Sequence, residues 1–204
     1  MGFGLRMAKR ALHLLVILGC SMYFIPATFA SDAAEVYQKG NWGLGFYGAG
    51  GKGVNGSTAS TGVAWTGIHY KRIMTDVKGT GFWRGTFEYG AEFQPLFLIF
   101  QEETVYGFHF SPLLMRWNFQ KPGSHLVPFF ELGGGMLFTQ DKVPERSSRF
   151  NFTPQSGVGI SFFNAGGNGV TFQLKYMHIS NAGIKKPNPG INSIQMLAGY
   201  EWVH

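Results

Sequence analysis

The sequence predicts an all-β chain, an eight-stranded antiparallel transmembrane β-barrel preceded by a cleaved signal peptide. Three observations predict it. The first is composition: aromatic residues make up 16 % of the 204 residues, Gly accounts for 30 and Phe for 20, while charged residues reach only 14 %, against about 25 % in an ordinary soluble domain. The second is an N-terminal export pattern. The third is a series of eight strand-like runs in which a bulky apolar face opposes a polar one. A disordered chain would be polar and poor in aromatics. A helical bundle would carry too much Gly in its helix interiors. The single Cys excludes a disulfide framework within the chain.

The export signal comes first. Arg6, Lys9 and Arg10 form a positive n-region, and Ala11 to Ile25 is apolar apart from His13 and Ser21. Thr28 and Ala30 then supply the small residues a signal peptidase reads, which places cleavage after Ala30 and the barrel domain at 31–204. A lipoprotein signal at Cys20, preceded by Ile17-Leu18-Gly19, ranks lower because the apolar stretch runs on to Phe29. The apolar core is also short for a helical span of about 20 residues. Removing Arg6, Lys9 and Arg10 from the 17 Lys+Arg leaves 14 against 11 Asp+Glu, a net of +3. No Lys/Arg run suits nucleic acid, and no later stretch approaches the roughly 18 apolar residues of a transmembrane helix.

The strands follow in order as Trp42–Gly51, Gly62–Arg72, Gly81–Phe100, Thr104–Asn118, Leu126–Thr139, Phe150–Phe163, Val170–Asn181 and Ser193–Trp202. Turn-forming segments separate them: Gly53 to Ser57, Lys121 to Ser124, Gln140 to Arg149 and Asn164 to Asn168. In the third run Trp83, Phe87, Tyr89, Ala91 and Phe93 share one face, opposite Arg84, Thr86, Glu88, Glu92 and Gln94. The fifth sets Phe130, Leu132, Met136 and Phe138 against Glu131, Gly133, Gly135 and Thr139. The seventh sets Val170, Phe172, Leu174 and Tyr176 against Thr171, Gln173 and Lys175. Met196, Ala198, Tyr200 and Trp202 alternate to the C-terminal end. Strands of about 10 residues, apolar outward and polar inward, are the pattern of an outer-membrane barrel. Closure satisfies the backbone groups that lipid cannot. The rival is a soluble lipocalin-like barrel with its apolar face turned inward.

The segment from Tyr176 to Asn192 carries the chemistry. His178 and Ser180 are two apart on a strand, so they share the outward face, where polar groups are costly and tend to be functional. Asn192 has the parity of Ile194 and Met196, and a hairpin sets it near His178 or Ser180. With the N-terminus periplasmic, the seventh loop faces outside, and the His/Ser pair sits at the level of the outer leaflet. The bland alternative is a polar pair bonding lipid head groups beside ordinary turn formers.

His178, Ser180, Asn181, Gly183, Pro187, Asn188 and Gly190 together resemble the signature of the outer-membrane lipid A 3-O-deacylase family (PagL-type, acyloxyacyl-hydrolase-like). Glu92 to Leu96, Arg116 to Phe119, Glu131 to Gly135 and Asn151 to Gln155 extend the likeness over most of the mature chain. The resemblance implies an eight-stranded barrel in the bacterial outer membrane, with a serine esterase site facing lipid. It implies Ser180 as nucleophile, His178 as general base, and Asn181 with the Gly183 N–H as oxyanion hole. Where the family carries a Glu, this chain has Asn192, which orients the imidazole without supplying negative charge. Lys185 and Lys186 are candidate contacts to lipid A phosphates. The expected partners are lipid A or lipopolysaccharide and outer-membrane lipids, with a homodimer as a candidate assembly.

Elsewhere the sequence is quieter. His69 and His109 fall on polar strand faces, and His125 follows a Pro-Gly turn. No His/Cys/carboxylate set has metal spacing, and no cofactor is implied. Glu88, Glu92, Glu131, Arg84 and Arg116 are candidates for an ion-pair network in the lumen. Two function classes follow: a lipid A esterase, and a weak or inactive barrel with a structural or lipid-binding role.

Overall fold

The computed structural model describes residues 33–54, 61–164 and 166–204; the expected signal peptide lies outside them. A short helix α1 (Ala33–Val36) leads into β1 (Trp42–Val54) and β2 (Gly62–Ile73). Next come β3 (Gly85–Phe100), β4 (Thr104–Phe119) and β5 (Leu126–Val143). Strand β6 runs in two halves, Ser148–Phe152 and Gln155–Phe163, followed by β7 (Asn168–Ile179) and β8 (Ile191–Val203). Each strand pairs antiparallel with the next, and β1 pairs with β8, so the sheet closes into a barrel of eight strands.

The gap in β6 is chemical rather than geometric. Pro154 has no N–H to give to the ladder. The register to β5 nonetheless runs through it unshifted, from Gly133↔Gln155 to Met136↔Phe152. The Pro154 carbonyl accepts from the His178 N–H at 3.0 Å.

The barrel is apolar outside and polar inside, which removes the lipocalin-like alternative. In β7, Phe172, Leu174 and Tyr176 are exposed while Thr171, Gln173 and Lys175 are buried. Phe46, Ile68, Phe93, Leu132 and Met196 continue the exposed apolar surface on other strands. Inside, Lys175 Nζ lies 3.1 Å from Glu92, and Arg116 lies 2.8 Å from Glu131 and 3.4 Å from Glu88. Glu201 takes Lys71 and the Tyr47 hydroxyl. Towards the end that carries the β7–β8 loop, the interior turns apolar with Trp65, Phe97, Ile99, Val105, Leu137, Met177, Ile179 and Ile191. That plug of side chains fixes the end of β7.

One strand boundary differs from the sequence reading, and two register slips set the strand faces. The third strand starts at Gly85, because Gly81–Trp83 forms a 3-10 turn. Trp83 and Arg84 therefore leave the alternating faces, and Arg84 sits outside the lumen network, which Lys71, Lys175 and Glu201 join instead. In β3 the pairing slips between Gln94 and Phe97, so Leu96 points out while Phe97 and Ile99 point in. In β4 the same happens at Pro112, between Phe110 and Leu113, and the slip turns Arg116 inward. Gly135 lies against that bulge, where a Cβ would stand 2.8 Å from the Ser111 Cα.

Candidate active site

Period-two alternation and inward packing together expose His178. Its neighbours Met177 and Ile179 are fully buried in the apolar end of the lumen. The imidazole is thereby sent to the outer face, between Pro154 of β6 and Asn192 of β8. The register sets His178 directly opposite Asn192, and His178 Nδ1 lies 2.6 Å from Asn192 Oδ1. The hydroxyl of Tyr176 donates to the same oxygen at 2.8 Å. An amide oxygen only accepts. With that oxygen as acceptor Nδ1 is the donor of the contact, and in the neutral tautomer that makes this bond Nε2 is the unprotonated nitrogen.

Gly190 shapes the other edge of the ring. Its φ is +69°, a left-handed conformation that favours glycine. A Cβ there would stand 2.8 Å from His178 Cε1 and 3.5 Å from Nε2. Glycine thus lets the imidazole lie against the backbone at the start of β8. Gly190 and Ser180 are the next residues beyond the paired Ile191 and Ile179, so Nε2 is directed to the end of the strands that holds Ser180.

Ser180 follows β7 by one residue and is held by β6. The Phe152 N–H donates to the Ser180 carbonyl at 2.7 Å, and the Ser180 N–H donates back at 3.1 Å. Ser180 is 8 % exposed. Among the described residues no hydrogen bond joins its hydroxyl to His178.

Asn181 is tied into the loop that follows β7. Its Nδ2 donates to the Ser147 hydroxyl at 3.1 Å and to the Lys185 carbonyl at 2.9 Å. Its Oδ1 accepts from the Gly183 N–H at 2.9 Å, and its own N–H donates to Asn188 Oδ1 at 3.1 Å. Both donors expected of an oxyanion hole are thus committed within the loop. In this conformation Asn181 is the loop's anchor, tying it to the tip of the β5–β6 hairpin. Lys185 enters that knot only through its backbone, and Lys185 and Lys186 are exposed.

Sequence reasoning missed Tyr176 and Ser147 as parts of the site. Tyr176 was legible only as an outward aromatic, although its parity with His178 was the available signal. Nothing local marks Ser147, whose partner is 34 residues away. His69 and His109 are buried in the lumen, the latter with Nε2 2.7 Å from Thr153 Oγ1, remote from the lipid-facing row.

Residues 22–201 match the family model described as lipid A 3-O-deacylase (PagL). A curated relative, lipid A deacylase PagL of Pseudomonas aeruginosa, is 25 % identical over 193 residues, covering 92 % of this chain and 96 % of that protein. Lipid A deacylase PagL of Bordetella bronchiseptica is 31 % identical over 75 residues, which is 36 % of this chain and 41 % of that protein. The crystal structure of the outer membrane enzyme PagL superposes with a TM-score of 0.50 at 22 % identity, covering 78 % of this chain and 98 % of that one. The N-terminal β-barrel domain of Pseudomonas aeruginosa OprF also reaches 0.50, at 13 % identity, with 80 % and 98 % covered. Those two superpositions speak for the barrel alone; the sequence match over most of the chain goes further, and this outer-membrane barrel belongs to the lipid A 3-O-deacylase (PagL) family.

Proposed function

We propose that this chain is a serine esterase that removes the ester-linked acyl chain at the 3-position of lipid A. The observation that carries the reading is the outward-facing His178, whose Nδ1 is held 2.6 Å from Asn192 Oδ1. In the neutral tautomer that donates from Nδ1, Nε2 is left to act as the base. Ser180 Oγ attacks the ester carbonyl while Nε2 takes its proton. The tetrahedral intermediate then collapses, and His178 returns the proton to the departing sugar hydroxyl. Water attacks the acyl-Ser180 ester by the same proton path and frees the 3-hydroxy fatty acid. Hydrogen bonds between nucleophile and base commonly tighten only with substrate in place. For Ser180 that requires its hydroxyl to turn towards Nε2.

The oxyanion falls to the Asn181 amide and the Gly183 N–H. Serving there requires both to exchange their loop partners, the Lys185 carbonyl and Asn181 Oδ1, for the developing charge. A preorganised donor of this kind is worth about 3–4 kcal/mol in another hydrolase. Lys185 and Lys186, exposed on the same loop, would meet the phosphate groups of the substrate. One feature favours a second reading, a weak or silent barrel with a structural or lipid-binding role: the neutral Asn192 leaves the imidazolium without a counter-charge.

Mass spectrometry of lipid A from cells expressing the wild type or Ser180→Ala decides between them. Loss of one 3-linked hydroxyacyl chain with the wild type alone supports the esterase. Unchanged lipid A in both, with folded protein in the outer membrane, supports the second reading.

A further inference from the structure

An amide can present either end to a neighbour. A carboxylate at position 192 would accept from His178 whichever way it turned, but Asn192 accepts only with its oxygen inward. Turned over, its Nδ2 would donate to Nδ1, drive the proton to Nε2, and leave no base facing Ser180. The contacts made by the amide must therefore choose the orientation, and the Tyr176 hydroxyl is one of them. Tyr176 stands one row below His178 on the same outward face of β7, 41 % exposed, with its hydroxyl 2.8 Å from Asn192 Oδ1. On a lipid-facing surface the phenolic proton has little water to fall back on, and an unpaired donor there is costly. If the amide turned over, the phenol would face an N–H in place of its acceptor. Two donors converging on one oxygen, Tyr176 from one side and His178 from the other, satisfy both of its lone pairs.

We propose that Tyr176 is a positioning residue: its hydroxyl helps hold the Asn192 carbonyl oxygen towards His178 and so lets an amide do what a carboxylate would do in either orientation. This rests on the esterase reading for its catalytic consequence, whereas its structural content stands independently of turnover. Tyr176 matters because position 192 is Asn, and its importance should vanish when a carboxylate is put there.

The test uses the full mature barrel, refolded in detergent with 15N-labelled histidine. The His178 resonances are identified by their absence in His178→Gln. The wild type should show the tautomer protonated on Nδ1. Tyr176→Phe should shift His178 towards the tautomer protonated on Nε2, and Tyr176→Phe combined with Asn192→Glu should restore Nδ1 protonation. In parallel, release of 3-hydroxy fatty acid from lipid A should fall by about tenfold in kcat, with KM little changed, when Tyr176→Phe is made beside Asn192. Beside Asn192→Glu the same substitution should change kcat by less than about twofold, because no orientation remains to be lost. An unchanged tautomer in Tyr176→Phe overturns the proposal, as does an equal loss of turnover in the two backgrounds. Failure of the esterase reading looks different: the wild type releases no more fatty acid than Ser180→Ala, while the tautomer measurement still decides the role of Tyr176.

Discussion

At Gly190 the site depends on the absence of an atom. The backbone there is left-handed, and His178 Cε1 occupies the space a side chain would need. Gly190→Ala should therefore strain the start of β8 and push the imidazole off its position. A displacement of about 1 Å in a reacting group costs on the order of 10²-fold in rate. The expected outcome is a loss of that order in fatty-acid release, with the barrel still folded by its heat-dependent gel mobility. Wild-type turnover in Gly190→Ala would show that the close approach is unimportant. The residues of this row were legible in the sequence because alternation with period two is rigid: once Phe172 and Leu174 face lipid, Tyr176 and His178 must follow. The partnership between Tyr176 and Asn192 was not, because it is a diagonal contact across two strands. The fate of the Asn181 amide was equally hidden, since Ser147 comes from another hairpin.

Between elements, the loop after β7 is organised by one side chain. Asn181 joins Gly183, Lys185 and Ser147, so the β5–β6 hairpin and the β7–β8 loop brace each other over Ser180. Asn181→Ala removes all three side-chain contacts at once. The loop should then open locally while the strands persist, and limited proteolysis should cut faster between residues 182 and 189 than in the wild type. Equal cutting rates would show that the hairpin holds the loop without Asn181. The strands themselves were readable almost to their ends, with β4 beginning at Thr104 and β5 at Leu126 as expected. The faces were readable only up to the bulges. Past Pro95 and Pro112 an extra residue reverses the parity, and a Pro marks where such a slip can occur without showing that it does. Arg116 illustrates the point, since only the register at Pro112 decides that it faces the lumen.

For the whole molecule, the barrel is held by a lumen that is charged in the middle and sealed at both ends. Arg116 sits among Glu88, Glu131 and the ring of Phe129, with its guanidinium carbon 4.0 Å from the ring centroid. At the end where β1 begins and β8 finishes, Val36 and Tyr37 close the barrel against Ile73, Val127, Phe163 and Val203. Burial, then Glu88 and Glu201, raises the Tyr37 phenol well above its ordinary pKa, so it remains neutral in this plug. The plug was invisible in the sequence, because Val36 and Tyr37 precede the first strand-like run and carry no alternating pattern. Arg116→Leu takes the guanidinium away from the buried Glu88, Glu131 and Glu201 and should cost about 3–5 kcal/mol, seen as a lower midpoint in urea unfolding from lipid vesicles. An unchanged midpoint would show that the remaining lumen cations compensate fully. The rigid interior matters for function because Met177 and Ile179 are part of it, and His178 stands between them.

In the proposed esterase, Ser180 is made nucleophilic by the outward-facing His178. Labelling the purified barrel with a long-chain alkyl fluorophosphonate and mapping the adduct by peptide mass spectrometry tests it most directly. A single adduct on Ser180, absent in His178→Ala, is the predicted result. No adduct, an adduct on another residue, or equal labelling of Ser180 without His178 would contradict it.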